Sequence, residues 1–164
     1  MRHAPFLASS LLVASLVLAQ QTGFEFRGMR TGMTEAQLMS ALNSIHKTGS
    51  SRIECPYLQG KKMCGFRNGN SSYAASMNSA DVVCAITYYF ETTADESSES
   101  FVRALSSKYG KPHVEQRTYT NGLGNQFTAR EYMWLRGKQL LSVEEVCGTI
   151  GKHCVRIDDA AKSL

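Results

Sequence analysis

The chain has no block of basic residues beyond Lys61-Lys62, and its 18 Lys and Arg stand against 14 Asp and Glu. A net charge of +4 spread this thinly gives no electrostatic footprint for nucleic acid. No Cys-x-x-Cys occurs and the histidines show no ligand spacing, so neither a metal site nor a cofactor is expected. Gly122, Gly124 and Gly137 lack the following helix and the Lys-Ser/Thr pair that a phosphate cradle needs, and hairpin turns account for them. Past Leu18 no apolar run approaches the ~20 residues of a membrane span. Low-complexity tracts and linkers are also missing.

What is present begins with an address. Arg2 precedes an apolar run from Phe6 to Leu18, broken only by Ser9, Ser10 and Ser15, and Val17 and Ala19 occupy the positions a signal peptidase reads. The pattern predicts a signal peptide over 1–19, cleaved after Ala19, and a soluble globular domain over 20–164 in the periplasm or outside the cell. No cysteine sits at the cut, where Gln20 follows Ala19, so no lipid anchor is indicated. All five cysteines lie in the mature part, and export makes disulfides the default. Proximity favours Cys147–Cys154 and Cys55–Cys64, leaving Cys84 over; Cys64–Cys84 is the rival pairing.

The mature chain reads as two similar halves, about 24–90 and 91–164. Thr34 and Gln37 form a capping box, and Leu38, Leu42 and Ile45 then recur on one helical face. Residues 53–70 are rich in turn formers and read as a strand pair or a pinned loop. Val82 to Phe90 is the strongest strand, β-branched and aromatic without a charge. A second helix is expected from Thr93 and Glu96, through Phe101, Leu105 and Tyr109, to Gly110 and Pro112. Strands at about 113–119, 126–136, 139–147 and 153–158 follow, joined by glycine-containing turns. The fold class is α+β: an antiparallel sheet with two helices on one face and the other face partly open.

Two stretches carry a resemblance. Gly28-Met29-Arg30-Thr31-Gly32-Met33-Thr34 leads into Gln37-Leu38 and Leu42, and Phe101 to Leu105 is followed by Lys108-Tyr109-Gly110-Lys111-Pro112. Glycine, capped helix and then strands resembles the SmpA/OmlA-type envelope proteins and the β-lactamase-inhibitor-protein-like fold. The resemblance implies a helix-then-meander repeat whose sheet serves as a protein-binding surface. No inhibitor's contact residues have counterparts here.

No motif specifies a reaction, and the chain is not expected to be an enzyme. His46, His113 and His153 are scattered, and a small hydrolase built on His113 or His153 with a carboxylate is the least favoured reading. Cys84 sits among Val82, Val83, Ala85 and Ile86, the setting of a structural thiol. Glu144 and Glu145 point to opposite faces of a strand, and Asp158-Asp159 is expected in solvent. In the strand 126–136, Phe127, Ala129, Met133 and Leu135 form the more apolar face and are expected against the helices. Arg130, Tyr132 and Trp134 would then stand on the open face, with residue types enriched at binding hot spots. The leading expectation is therefore an exported binding module for another envelope or extracellular protein. A small-ligand or lipid carrier is the alternative. The cysteine reading predicts that denatured, unreduced mature protein alkylates at a single thiol, with all five cysteines reacting only after reduction; intact-mass spectra count them.

Overall fold

The computed structural model describes residues 23–162. The signal peptide expected over 1–19 lies outside the described residues. The elements run α1 (Glu35–Ile45), β1 (Tyr57–Leu58), β2 (Lys61–Asn68), β3 (Ser71–Met77), β4 (Val83–Phe90), α2 (Ser98–Tyr109), β5 (His113–Thr120), β6 (Gln126–Arg136), β7 (Gln139–Glu144) and β8 (His153–Asp159). The strands make an antiparallel sheet in the order β1-β2-β3-β4-β8-β7-β6-β5. Each half is a helix followed by a meander, and the halves meet where β4 pairs with β8. This is the α+β plan the sequence predicts.

Local chemistry explains the elements. Thr34 caps α1, with Gln37 returning the bond to the cap, and Leu38 and Leu42 face the core. The start of α2 differs from expectation. Its cap is Ser97, boxed with Ser100, while Thr93 uses its hydroxyl and N–H to close a turn onto Glu96. Both positions satisfy the capping pattern, and the one nearer the Phe101 and Leu105 stripe wins because it sets the first turn beneath the buried residues. Gly110 ends α2 at φ 87°, a conformation that favours glycine, and its N–H bonds Ser106. Residues 53–70 resolve into β1 and β2. β3 was not anticipated: Ser71-Ser72-Tyr73-Ala74-Ala75-Ser76-Met77 offers few β-branched residues, yet Tyr73, Ala75 and Met77 alternate inward.

Two disulfides tie loops to strands, Cys55–Cys64 holding the approach to β1 against β2 and Cys147–Cys154 holding the β7–β8 connection against β8. Cys84 is free and buried, with Ser76 beside it. Both helices pack on one face. There Leu38, Leu42 and Leu105 meet two cross-strand rows of the sheet, Phe66-Tyr73-Tyr88-Val155-Val143-Tyr132 and Cys64-Ala75-Ile86-Ile157-Leu141-Trp134.

The second row corrects the reading of β6. Trp134 is only 4% exposed and Tyr132 is buried beside it, so this face meets the helices and the face of Ala129, Glu131, Met133 and Leu135 is the open one. Counting apolar residues favoured the other orientation. Area decides instead: Trp and Tyr bury far more surface than Ala or Met, and the indole N–H finds the Gly110 carbonyl at the end of α2, 2.6 Å away. Asp159 is likewise buried rather than solvated, accepting bonds from Thr31, Gln139 and the Ala161 N–H.

Trp134 is the chain's single tryptophan, which makes the packing measurable. Its emission is expected to be blue-shifted and resistant to acrylamide in the native protein. Trp134→Ala is expected to cost about 3–5 kcal/mol in urea unfolding, as for other buried aromatic truncations; a loss below about 1 kcal/mol would contradict the assigned face.

Candidate functional site

The face without helices is built mainly from three cross-strand rows, with the pairs Arg117–Ala129 and Tyr119–Phe127 beyond them on β5 and β6. The middle row runs Gly65, Ala74, Thr87, Arg156, Ser142 and Met133. One flanking row runs Met63, Ser76, Ala85, Asp158, Leu140 and Leu135. The other runs Arg67, Ser72, Tyr89, Cys154, Glu144, Glu131 and Glu115. Strand periodicity forces this composition, because every large apolar residue sent to the helices sends its neighbours here.

The residues over β2 to β4 are small. Ala74, Ser76, Ala85 and Thr87 leave a depression of about 180 Å³, edged by Met63, Tyr89 and Arg156, with Gly65 next to Ala74 in the same row. Gly65 is required: a Cβ there would lie 2.0 Å from the Tyr73 carbonyl oxygen. Its N–H and C=O are exchanged with Glu54, which fastens the segment before β1 onto the sheet. Arg156 stands above the depression with Asp158 2.6 Å away.

Toward β5 the face turns acidic. Glu115, Glu131 and Glu144 are directly opposite one another on three adjacent strands. Glu131 is only 8% exposed; Arg117 lies 2.5 Å from its Oε2, yet that oxygen has no well-formed hydrogen bond. Burial, and then the charge of Glu131, push the Glu144 carboxyl above its usual value, against one hydrogen bond from Ser142. Two sets of possible metal-ligating groups, Glu35 with Cys55 and Cys64 and Glu144 with Cys147 and Cys154, owe their closeness to the disulfides, which leave no thiolate to ligate.

Of the residues expected to bind a partner, Arg130, Tyr132 and Trp134 all project toward the helix side. Arg130 is exposed there and pairs with Glu145 at 2.8 Å, while Tyr132 and Trp134 are packed. The residues that share the open face are Met63, Tyr89, Met133, Leu135 and Arg156. Their signal was present in the sequence as the complement of the buried rows. The histidines stay apart. His113 is exposed on β5, His46 bonds the Ser51 carbonyl, and His153 lies between Ser98 and Thr92, joining β8 to the start of α2. Ser98 is buried, and its 2.9 Å contact with His153 ties β8 to the first residue of α2.

A second polar cluster escaped sequence reading. Arg27, at φ 51°, lies over the Tyr88 ring at 4.5 Å and bonds Tyr73 and Glu96, while Tyr88 donates to Glu96 at 2.6 Å. Burial first, and then the bond to Glu96, push the Tyr88 phenol up to about 12. The cluster locks the N-terminal segment, β3, β4 and the approach to α2 together on the helix side.

No protein-family model matches the chain, and no curated protein matches it. Among solved structures, a DUF4309 family protein (YjgB) from Bacillus subtilis subsp. subtilis str. 168 is similar at 13% identity, covering 77% of this chain and 78% of that chain with a TM-score of 0.37.

The raised Glu144 carboxyl has a pH consequence. It binds its proton more tightly folded than unfolded, so its penalty is full above the folded value and fades as pH falls toward the unfolded value of about 4.3. Glu144→Gln is therefore expected to stabilise the protein at pH 7 by about 0.2–1 kcal/mol, the scale of a like-charged cross-strand pair. The gain should shrink toward zero near pH 4, as followed by thermal unfolding across pH.

Proposed function

We propose that the protein is an exported, non-catalytic binding module that takes another envelope or extracellular protein on its open sheet face. The carrying observation is the face itself: every strand from β2 to β8 contributes to one side of a sheet that neither helix covers. Arg, Tyr and Met, the types enriched in interface cores, stand around a floor of small residues where a partner can approach the backbone closely. The helix-then-meander order is the one expected from the resemblance to β-lactamase-inhibitor-protein-like folds, in which the sheet commonly serves as a protein-binding surface. Two disulfides, with no described helix long and apolar enough to cross a membrane, are compatible with a periplasmic or secreted location.

The site moves with the corrected orientation of β6. Tyr89, Arg156, Met63 and Met133 take the place of Tyr132 and Trp134 as the central contacts. The carrier reading draws less support. A cleft of about 610 Å³ opens at the surface and is lined by Arg27, Lys47, Asp95 and Glu96 among others, a poor lining for a lipid.

The test is a pull-down from envelope and secreted extracts with oxidised mature protein, beside Thr87→Arg on the open face and Arg103→Glu on the outer side of α2. A partner held by the wild type and by Arg103→Glu is expected to be lost from Thr87→Arg, with binding weakened by at least about 2 kcal/mol. A partner that Thr87→Arg retains would place the site elsewhere, and a co-purified small molecule in native mass spectra would favour the carrier.

A further inference from the structure

The two ends of the sheet are treated differently. At one end, β1 is two residues long, follows Pro56, and leaves little free edge. At the other, β5 runs eight residues from His113 to Thr120, pairs in unbroken register with β6, and has no strand among the described residues on its outer side. It contains no proline and no bulge, and nearly all of it is exposed on both faces. A long, regular, free edge is a template for another strand.

The sequence of that edge is complementary to itself in one register. Two antiparallel copies related by a two-fold axis match faces only when the axis passes through a residue pair. With the axis at Gln116, Glu115 faces Arg117 of the second copy and Arg117 faces its Glu115. Val114 faces Thr118 and His113 faces Tyr119, so apolar and β-branched groups also meet. Moving the axis one residue either way sets Glu115 against Glu115 or Arg117 against Arg117. Opposite charges directly across a strand pair stabilise it, and like charges oppose it.

A second observation points the same way. The carboxylate row Glu144-Glu131-Glu115 ends at the free edge, where the chain's own Arg117 lies 2.5 Å from the buried Glu131 and 3.7 Å from Glu115, so one guanidinium serves two carboxylates. Pairing at Gln116 continues this row with the guanidinium of Arg117 from the second copy.

We propose that β5 binds β5 of a second copy of this chain, antiparallel about Gln116, joining the two sheets edge to edge with their open faces on the same side. The dimer is independent of what the open face binds; it would present two such faces side by side.

Sedimentation equilibrium of the oxidised mature protein over a concentration series tests it. The wild type is expected to reach twice the chain mass. Glu115→Arg keeps Arg117 beside Glu131 but sets two arginines against each other at each end of the pairing. It is expected to raise the dimer dissociation constant at least about tenfold, equivalent to about 1.4 kcal/mol. The double exchange Glu115→Arg with Arg117→Glu restores both cross-pairs and gives Glu131 an arginine directly opposite, so it is expected to dimerise again. Trp134 emission and circular dichroism confirm the fold of each variant. A wild type that stays monomeric at every concentration, a dimer indifferent to Glu115→Arg, or a double exchange that stays monomeric would each overturn the proposal.

Discussion

The pairing of β4 with β8 is the contact on which the rest depends. Six residue pairs, Ala85–Asp158 through Phe90–His153, join the strands that end each helix-and-meander half. Without them the halves would be two short sheets, each covered by one helix and each exposing a central strand as an edge. With them, Tyr88 and Ile86 continue into Val155 and Ile157, so the two apolar rows run unbroken from β2 to β6 on the helix side. The same pairs set Thr87 beside Arg156 and Ala85 beside Asp158 on the other side, which makes the open face continuous. Seam and site are two sides of one register, and a slip of one residue would exchange them.

The asymmetry between the faces is a matter of side-chain area. β4 sends Ile86, Tyr88 and Phe90 to the helices and keeps Ala85, Thr87 and Tyr89 outside. β6 sends Tyr132 and Trp134 inward and leaves Met133 and Leu135 out. The Trp134 bond to Gly110 and the Arg27 bond to Glu96 hold α2 on one side, where Leu38 and Leu42 of α1 also pack; among the described residues the other side carries no helix, although Ala129, Glu131, Ser142 and Cys154 are buried there. The binding surface and the free β5 edge both follow from a chain that spends its helices on one face.

Much of this was legible in the sequence. The capping box at Thr34, the charge-free run Val82 to Phe90, the glycine turns and the spacing of Cys147 and Cys154 each report a local constraint, and local constraints survive into the fold. The orientation of β6 did not follow from its composition, because both alternating sets hold apolar residues. The choice depends on where α2 ends, a tertiary fact. β3 was hidden because Ser71, Ser72, Ala74 and Ser76 have low strand propensity; its place comes from pairing with β2 and β4 on either side. The capping choice between Thr93 and Ser97 likewise depended on the packing of Phe101. The open-face set of Met63, Tyr89, Met133 and Arg156 is scattered over four strands and becomes a set only once the registers are known.

Native-state hydrogen exchange, resolved by peptide, tests the seam most directly. If β4–β8 pairing holds the two halves in one cooperative sheet, the amides of β4, β8 and β7 exchange slowest, and only through global unfolding, with the edge strands β1 and β5 exchanging first. If β4 and β8 exchange well before the interior of either meander, or if residues 24–90 and 91–164 show separate opening free energies, the halves fold independently and the continuous open face has no structural basis.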